Sequence, residues 1–190
     1  MTTDDALRYA RQIALSEIGP EGQERLLQAR ALVVGDDLAA DIATDYLAAA
    51  GVRTIHHLDP VFPRRSGSDW LEELPGVSIV VRVDFDDDAL AGAATRLGLP
   101  LVAIRVGPDV IDLISIRRRA PSPDAPLDPP TRLKIRPDDN PLAVVAGTLA
   151  ASEALQILLQ GNGLDTGPPI RHLRLPLDGG APLAQQIGAR

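Results

Sequence analysis

The stretch "LVVGDDLAADIA", residues 32–43, has the form of a strand turning into a helix. Turns of this kind bind phosphate when the backbone N–H groups at the helix N-terminus meet the anion directly, which requires glycine so that no side chain intervenes. Only one glycine is present, Gly35, and two acids follow it, Asp36 and Asp37. These carboxylates admit two chemistries: capping of the helix, or a place for a divalent cation in a rearranged nucleotide site. Further acids stand where strands should end, Asp59 before Pro60 and the run from Asp84 to Asp88. His56 and His57 are adjacent on a strand and read as a surface pair. The arginines at 117–119 read as a solvated strand end, or more sharply as a partner contact. Lys134 is the only lysine, so any mechanism needing one has a single candidate.

Absences narrow the chemistry further. With no cysteine, the chain carries no disulfide, no Cys-ligated zinc, no thiol nucleophile and no thioester. Three histidines leave little for a His-based metal site, and no metal site is expected. A formal charge of −7 and a pI near 4.9 exclude a basic nucleic-acid face. No apolar run approaches the ~18–20 residues of a membrane span, and the acidic N-terminus has no signal-peptide pattern, so cytoplasmic residence is expected.

The elements that must hold these residues follow from periodicity. Leu7, Ala10, Ile13 and Ala14 predict an amphipathic helix from Asp4 to about Ser16, and a Gly-Pro turn then opens a short helix ending before Arg30. Strands are expected at 31–35, 52–59, 76–84 and across "LPLVAIRVG", with "DVIDLISIRRR" as an antiparallel strand and "PIRHLRLPL" as a closing one. Helices are expected at Leu38 to Ala50, closed by Gly51, then around Trp70 to Leu74, at 86–98, and at 141–161. Five prolines from Pro121 to Pro130 make 120–130 a semi-extended loop. At 190 residues, 45% hydrophobic but only 3% aromatic, the chain suits a single α/β domain over 1–190 with an aliphatic core. The expected fold is a Rossmann-like, doubly wound, mostly parallel sheet, with an N-terminal helical extension over 1–29 and antiparallel C-terminal strands.

The order of motifs resembles the ThiF/MoeB/HesA family, relatives of the ubiquitin-activating enzymes. "RYARQIALSEIGPEGQERLLQARALVVG" is similar to that family's opening, RYxRQ followed by G-x-x-GQ-x-x-L and VLVVGAGGLG. The pattern GAGGLGSPVALYLAAAGV lies without a gap on "GDDLAADIATDYLAAAGV", and "PLAVVAGTLAASEALQILLQG" resembles the late family helix. The resemblance implies ATP- and magnesium-dependent adenylation of the C-terminus of a small ubiquitin-like protein. It also implies roles for residues here: Asp59 on the ribose hydroxyls, an acid near Asp84 to Asp88 on magnesium, and Arg11 reaching across a dimer interface to the partner's ATP.

The chain departs from that pattern where the chemistry sits. The later glycines fall on Asp37, Leu38 and Ala40; the Asn-Arg stretch is replaced by "PVFPRRSGS", where Arg64 or Arg65 are the available substitutes; the family lysine has no counterpart. A carboxylate 4 Å from a phosphate charge costs ~4 kcal/mol at an effective dielectric of 20, roughly a thousandfold in affinity. The expectation is a shortened, degenerate and catalytically inactive member with no bound cofactor. It would act as a homodimer, or as a heterodimer with a relative to which it lends Arg11. The rival is a divergent adenylyltransferase of ubiquitin-like or carrier proteins, with Asp36 and Asp37 on magnesium and Arg64, Arg65 and Arg11 on phosphate. A third reading is a module that binds a small unphosphorylated ligand.

Overall fold

A computed structural model describes residues 1–58, 69–83, 88–107, 109–117, 141–160, 170–177 and 182–187. Four strands rich in β-branched residues, β1 (Arg30–Val34), β2 (Thr54–Leu58), β3 (Ile79–Val83) and β4 (Leu101–Val106), run parallel in the order β2-β1-β3-β4. Three antiparallel strands extend the sheet beyond β4: β5 (Val110–Ile116), β6 (Ile170–Pro176) and β7 (Leu183–Ile187). The chain leaves β2 and crosses β1 to reach β3, so the order reverses between β1 and β3, the place where such sheets leave a crevice at their carboxyl ends.

Alternation along the strands creates two cores. Ala31, Val33, Ile79, Val81, Val102 and Ile104 face α3 (Gly19–Gln28), α4 (Leu38–Ala50) and α7 (Pro141–Gln160). Leu32, Val34, Val80 and Leu101 face α5 (Asp69–Glu72) and α6 (Asp88–Arg96). Helices on both faces make the doubly wound arrangement expected from the strand and helix alternation. α7 packs on α4 at Gly147, where an added Cβ would run into the Ala39 carbonyl and lie 2.8 Å from Ile42 Cβ.

Three expectations need correction. The first helix is two, α1 (Thr3–Arg8) and α2 (Ala10–Ile13), broken at Tyr9. Tyr9 is 6% exposed, whereas Leu7 is 74% exposed and Ala10 and Ala14 are exposed too. The break turns the single ring inward, packed beside Gly51, and leaves most of the aliphatic stripe outside. Second, Leu142–Gln160 is long and apolar enough to cross a membrane by length and composition, with a mean hydropathy of 1.8. One face of it, with Ala146, Ala150, Ala151 and Ala154, is buried on the sheet and α4, and buried Glu153 lies in an ion pair, while Val144 and Val145 are exposed. Third, β7 carries no strong strand signal in "LAQQI" and is held by its pairing with β6.

Candidate functional site

The turn after β1 sits at the reversal of strand order, and its residues divide the work. Gly35 is buried, and a Cβ there would lie 2.8 Å from Ala40 Cβ and 3.1 Å from Val83 Cβ, so the glycine is required by the packing of β1, β3 and α4. Its carbonyl is 3.0 Å from Nε2 of His57 on β2, which must donate to it. Asp37 is the N-cap of α4 in extended geometry, and its Oδ1 accepts the Ala40 N–H at 2.9 Å. Asp36 is exposed, and Asp41 in the first turn of the helix is exposed, 3.8 Å from His57 Nδ1. At its other end α4 stops at Gly51, which adopts φ 112°.

These residues do not fit a nucleotide phosphate. The amide that a phosphate would take at the third helical position is already bonded to Asp37. Leu38 adds a side chain at the first position, and Asp36, Asp37 and Asp41 gather negative charge at the helix end that attracts anions. Among the described residues, no group of three His, Asp or Glu is placed to hold a metal ion.

Of the other candidates, Asp59, Arg64, Arg65, Lys134, the acids at 84–87, Arg118, Arg119 and the proline-rich stretch 120–130 lie outside the described residues. Arg11 is exposed on α2 and has no hydrogen-bond or ion-pair partner among the described residues. Tyr9, two residues before it, packs beside Gly51 at the far end of the 13-residue α4. That places Tyr9 about 20 Å from the Asp36–Asp37 turn at 1.5 Å per residue, and among the described residues no contact joins Arg11 to that turn.

Three features escaped the sequence reading. Gln23, fully buried, donates from Nε2 to the Ala50 carbonyl at 3.0 Å and so ties α3 to the C-terminal end of α4. An added Cβ on Gly51 would lie 2.6 Å from that nitrogen, which gives the GQ of the opening motif and the later Gly51 a shared structural reason. Arg117, expected to be solvated, has a side chain only 7% exposed that pairs with Glu153 of α7 at 2.7 Å, because β5 ends against that helix. Asp112, 2% exposed, is held by Arg174 through two hydrogen bonds of 2.9 and 3.1 Å and lies 3.1 Å from His172 Nε2. This carboxylate raises the Arg174 pKa above the ordinary guanidinium value.

No family model matches the chain. Over 59 residues it is 46% identical to the SAMP-activating enzyme E1 of Haloferax volcanii, covering 31% of this chain and 22% of that protein. Over 55 residues it is 42% identical to the sulfur carrier protein ThiS adenylyltransferase of Escherichia coli K12, covering 29% of this chain and 22% of that protein. The chain thus spans less than a quarter of the length of either relative. Its fold matches that of Escherichia coli MccB, solved with AMPCPP and MccA, with a TM-score of 0.68 at 11% identity, over 100% of this chain and 73% of that one. The sequence matches thus make about a third of the chain similar to adenylyltransferases of the ThiF/MoeB type, and the structural match shows a shared fold.

Proposed function

We propose that the chain is a catalytically inactive relative of these adenylyltransferases and acts as a dimerisation partner or scaffold, as a homodimer or beside an active relative. The observation that carries this reading is the Asp37 cap: a carboxylate of the chain itself holds the amide that a nucleotide phosphate would need. Two further observations support it. Leu7, Leu15 and Tyr46 expose large apolar side chains on the N-terminal segment and α4, which suits a protein surface. Arg11 is exposed and unpaired among the described residues, which suits a guanidinium offered to another subunit. Light scattering of the purified chain, alone and mixed with an active relative, tests the reading. A dimer in either sample is expected, and a strict monomer in both would overturn it.

A second reading, a divergent adenylyltransferase, is favoured by the names of the relatives and by the exposed carboxylate of Asp36. Magnesium on Asp36 would offset part of the repulsion at the helix end. By analogy with MccB, solved with MccA, the acceptor would be a peptide or a small carrier protein of the ubiquitin-like kind. ATP–pyrophosphate exchange that rises when such an acceptor is added would replace the first reading with this one.

A further inference from the structure

At the end of the sheet opposite the Gly35 turn, the starts of β3 and β4 and the end of β5 border a cavity of about 570 Å³. Its polar wall is made by Arg25 of α3, Ser78, Arg117 and Gln160 of α7, and its apolar wall includes Leu99 and Ile157. Among the described residues no carboxylate lines it.

The hydrogen bonds already made fix what this wall offers. Arg117 gives Nη2 to Glu153 at 2.7 Å and Nη1 to the Gln160 amide oxygen at 3.0 Å, while its buried Nε–H has no acceptor among the described residues. Glu153 is shared with Arg171 at 3.1 Å and with the Ser115 hydroxyl at 2.8 Å, so one carboxylate balances two guanidinium groups. Arg25 is exposed and unpaired among the described residues. The Gln160 oxygen is taken, which leaves its NH2 to donate. Ser78 Oγ accepts the Arg30 N–H at 3.2 Å, which leaves its O–H to donate. Among the described residues the cavity therefore presents donors and more guanidinium than carboxylate on one side and aliphatic surface on the other, in a chain of net charge −7.

The charge of the ligand is bounded from above as well. Gln28 and Gln160, which line the cavity, are the last residues of α3 and α7, and helix C-termini carry partial negative charge. That repels a phosphate dianion more than a monoanion, so the guanidinium of Arg25 is better matched to a singly charged group carrying an apolar body. We propose that this cavity binds a small amphipathic carboxylate, a single carboxylate on an aliphatic body, with the carboxylate on the Arg25, Ser78 and Gln160 donors and the chain against Leu99 and Ile157. The volume falls within the ~300–1,000 Å³ of small-molecule sites. The site is remote from the α4 turn and does not depend on the function proposed above.

Calorimetric titration of the full chain with N-acetyl-leucine and with octanoate tests this, beside N-acetyl-leucinamide and inorganic phosphate. Saturable binding of at least one carboxylate is expected, with the neutral amide and phosphate at least tenfold weaker. Arg25→Gln, an exposed change whose fold is checked by circular dichroism, should weaken the carboxylate at least tenfold, and Ser78→Ala should weaken it in the same direction. No saturable carboxylate binding, equal binding of the amide, tighter binding of phosphate, or an unaltered affinity in Arg25→Gln would each overturn the proposal.

Discussion

Asp37 and Gly35 do opposite jobs within three residues. Gly35 leaves room: its missing Cβ lets Ala40 and Val83 meet across the turn. Gly35→Ala should therefore cost about 1–3 kcal/mol in chemical denaturation, as overpacking of a buried site does. Asp37 fills room, capping Ala40. Asp37→Ala should lose about 1 kcal/mol of stability and Asp37→Asn much less, because asparagine caps as well without the charge. A second carboxylate makes a pH prediction. Asp5 caps α1 reciprocally with Thr2 and pairs with Arg53, and the hydrogen bonds from Thr2 and Arg53 hold its pKa well below the usual carboxylate range. A lowered folded pKa contributes stability that is present above the unfolded value, near 4, and is lost as pH falls toward the folded one. The melting-temperature gap between the native chain and Asp5→Asn should thus be open at pH 7 and close on acidification below about pH 4. A gap that widened in acid would contradict the assignment. Much of this scale was legible in the sequence, since an acid before an apolar helical run signals a cap. Which of the two aspartates caps was not legible, because that depends on the turn's dihedrals. Gln23 and Arg117 were hidden for a similar reason: their partners lie 27 and 36 residues away.

Among the elements, α4 and α7 are the pair on which the first core rests. Gly147 is a point of close approach, with the Ala39 carbonyl and Ile42 where a side chain would go. Gly147→Ala should destabilise the chain by more than about 1 kcal/mol despite alanine's better helix propensity. Gly92 is the internal control, since a Cβ there meets only the Arg96 guanidinium at 3.7 Å. Gly92→Ala in α6 should be neutral or stabilise by about 0.5–1 kcal/mol. Similar losses at both positions in thermal unfolding would refute the role given to Gly147. The parallel strands, α3, α4 and α6 follow periodicity and β-branched runs, which is why they could be read in advance within a few residues. The division of the first helix at Tyr9 could not, because a three- and four-residue spacing of aliphatics fits equally well a stripe left outside. Nor could β7, whose two glutamines give no alternation and whose place is fixed by β6.

At the scale of the molecule, the two ends of the sheet are chemically unlike. The end with the carboxyl termini of the parallel strands gathers carboxylates at α4, and the opposite end gathers guanidinium groups around Glu153. Glu153→Ala would leave Arg117 buried without its counter-ion and should cost about 3–5 kcal/mol, or prevent folding outright. The exposed apolar side chains at Leu7 and Leu15 give the self-association test: Leu7→Asp with Leu15→Asp should turn a dimer of the native chain into a monomer in sedimentation. The family pattern was visible from the opening motif and the gapless match through Val52, but a pattern locates a site without stating whether the site still works. That question belongs to the α4 turn. Titrating magnesium-ATP into the full chain by calorimetry addresses it most directly: an α4 N-terminus already occupied by Asp37 predicts no saturable heat at millimolar nucleotide, whereas saturable binding in the micromolar range would contradict it.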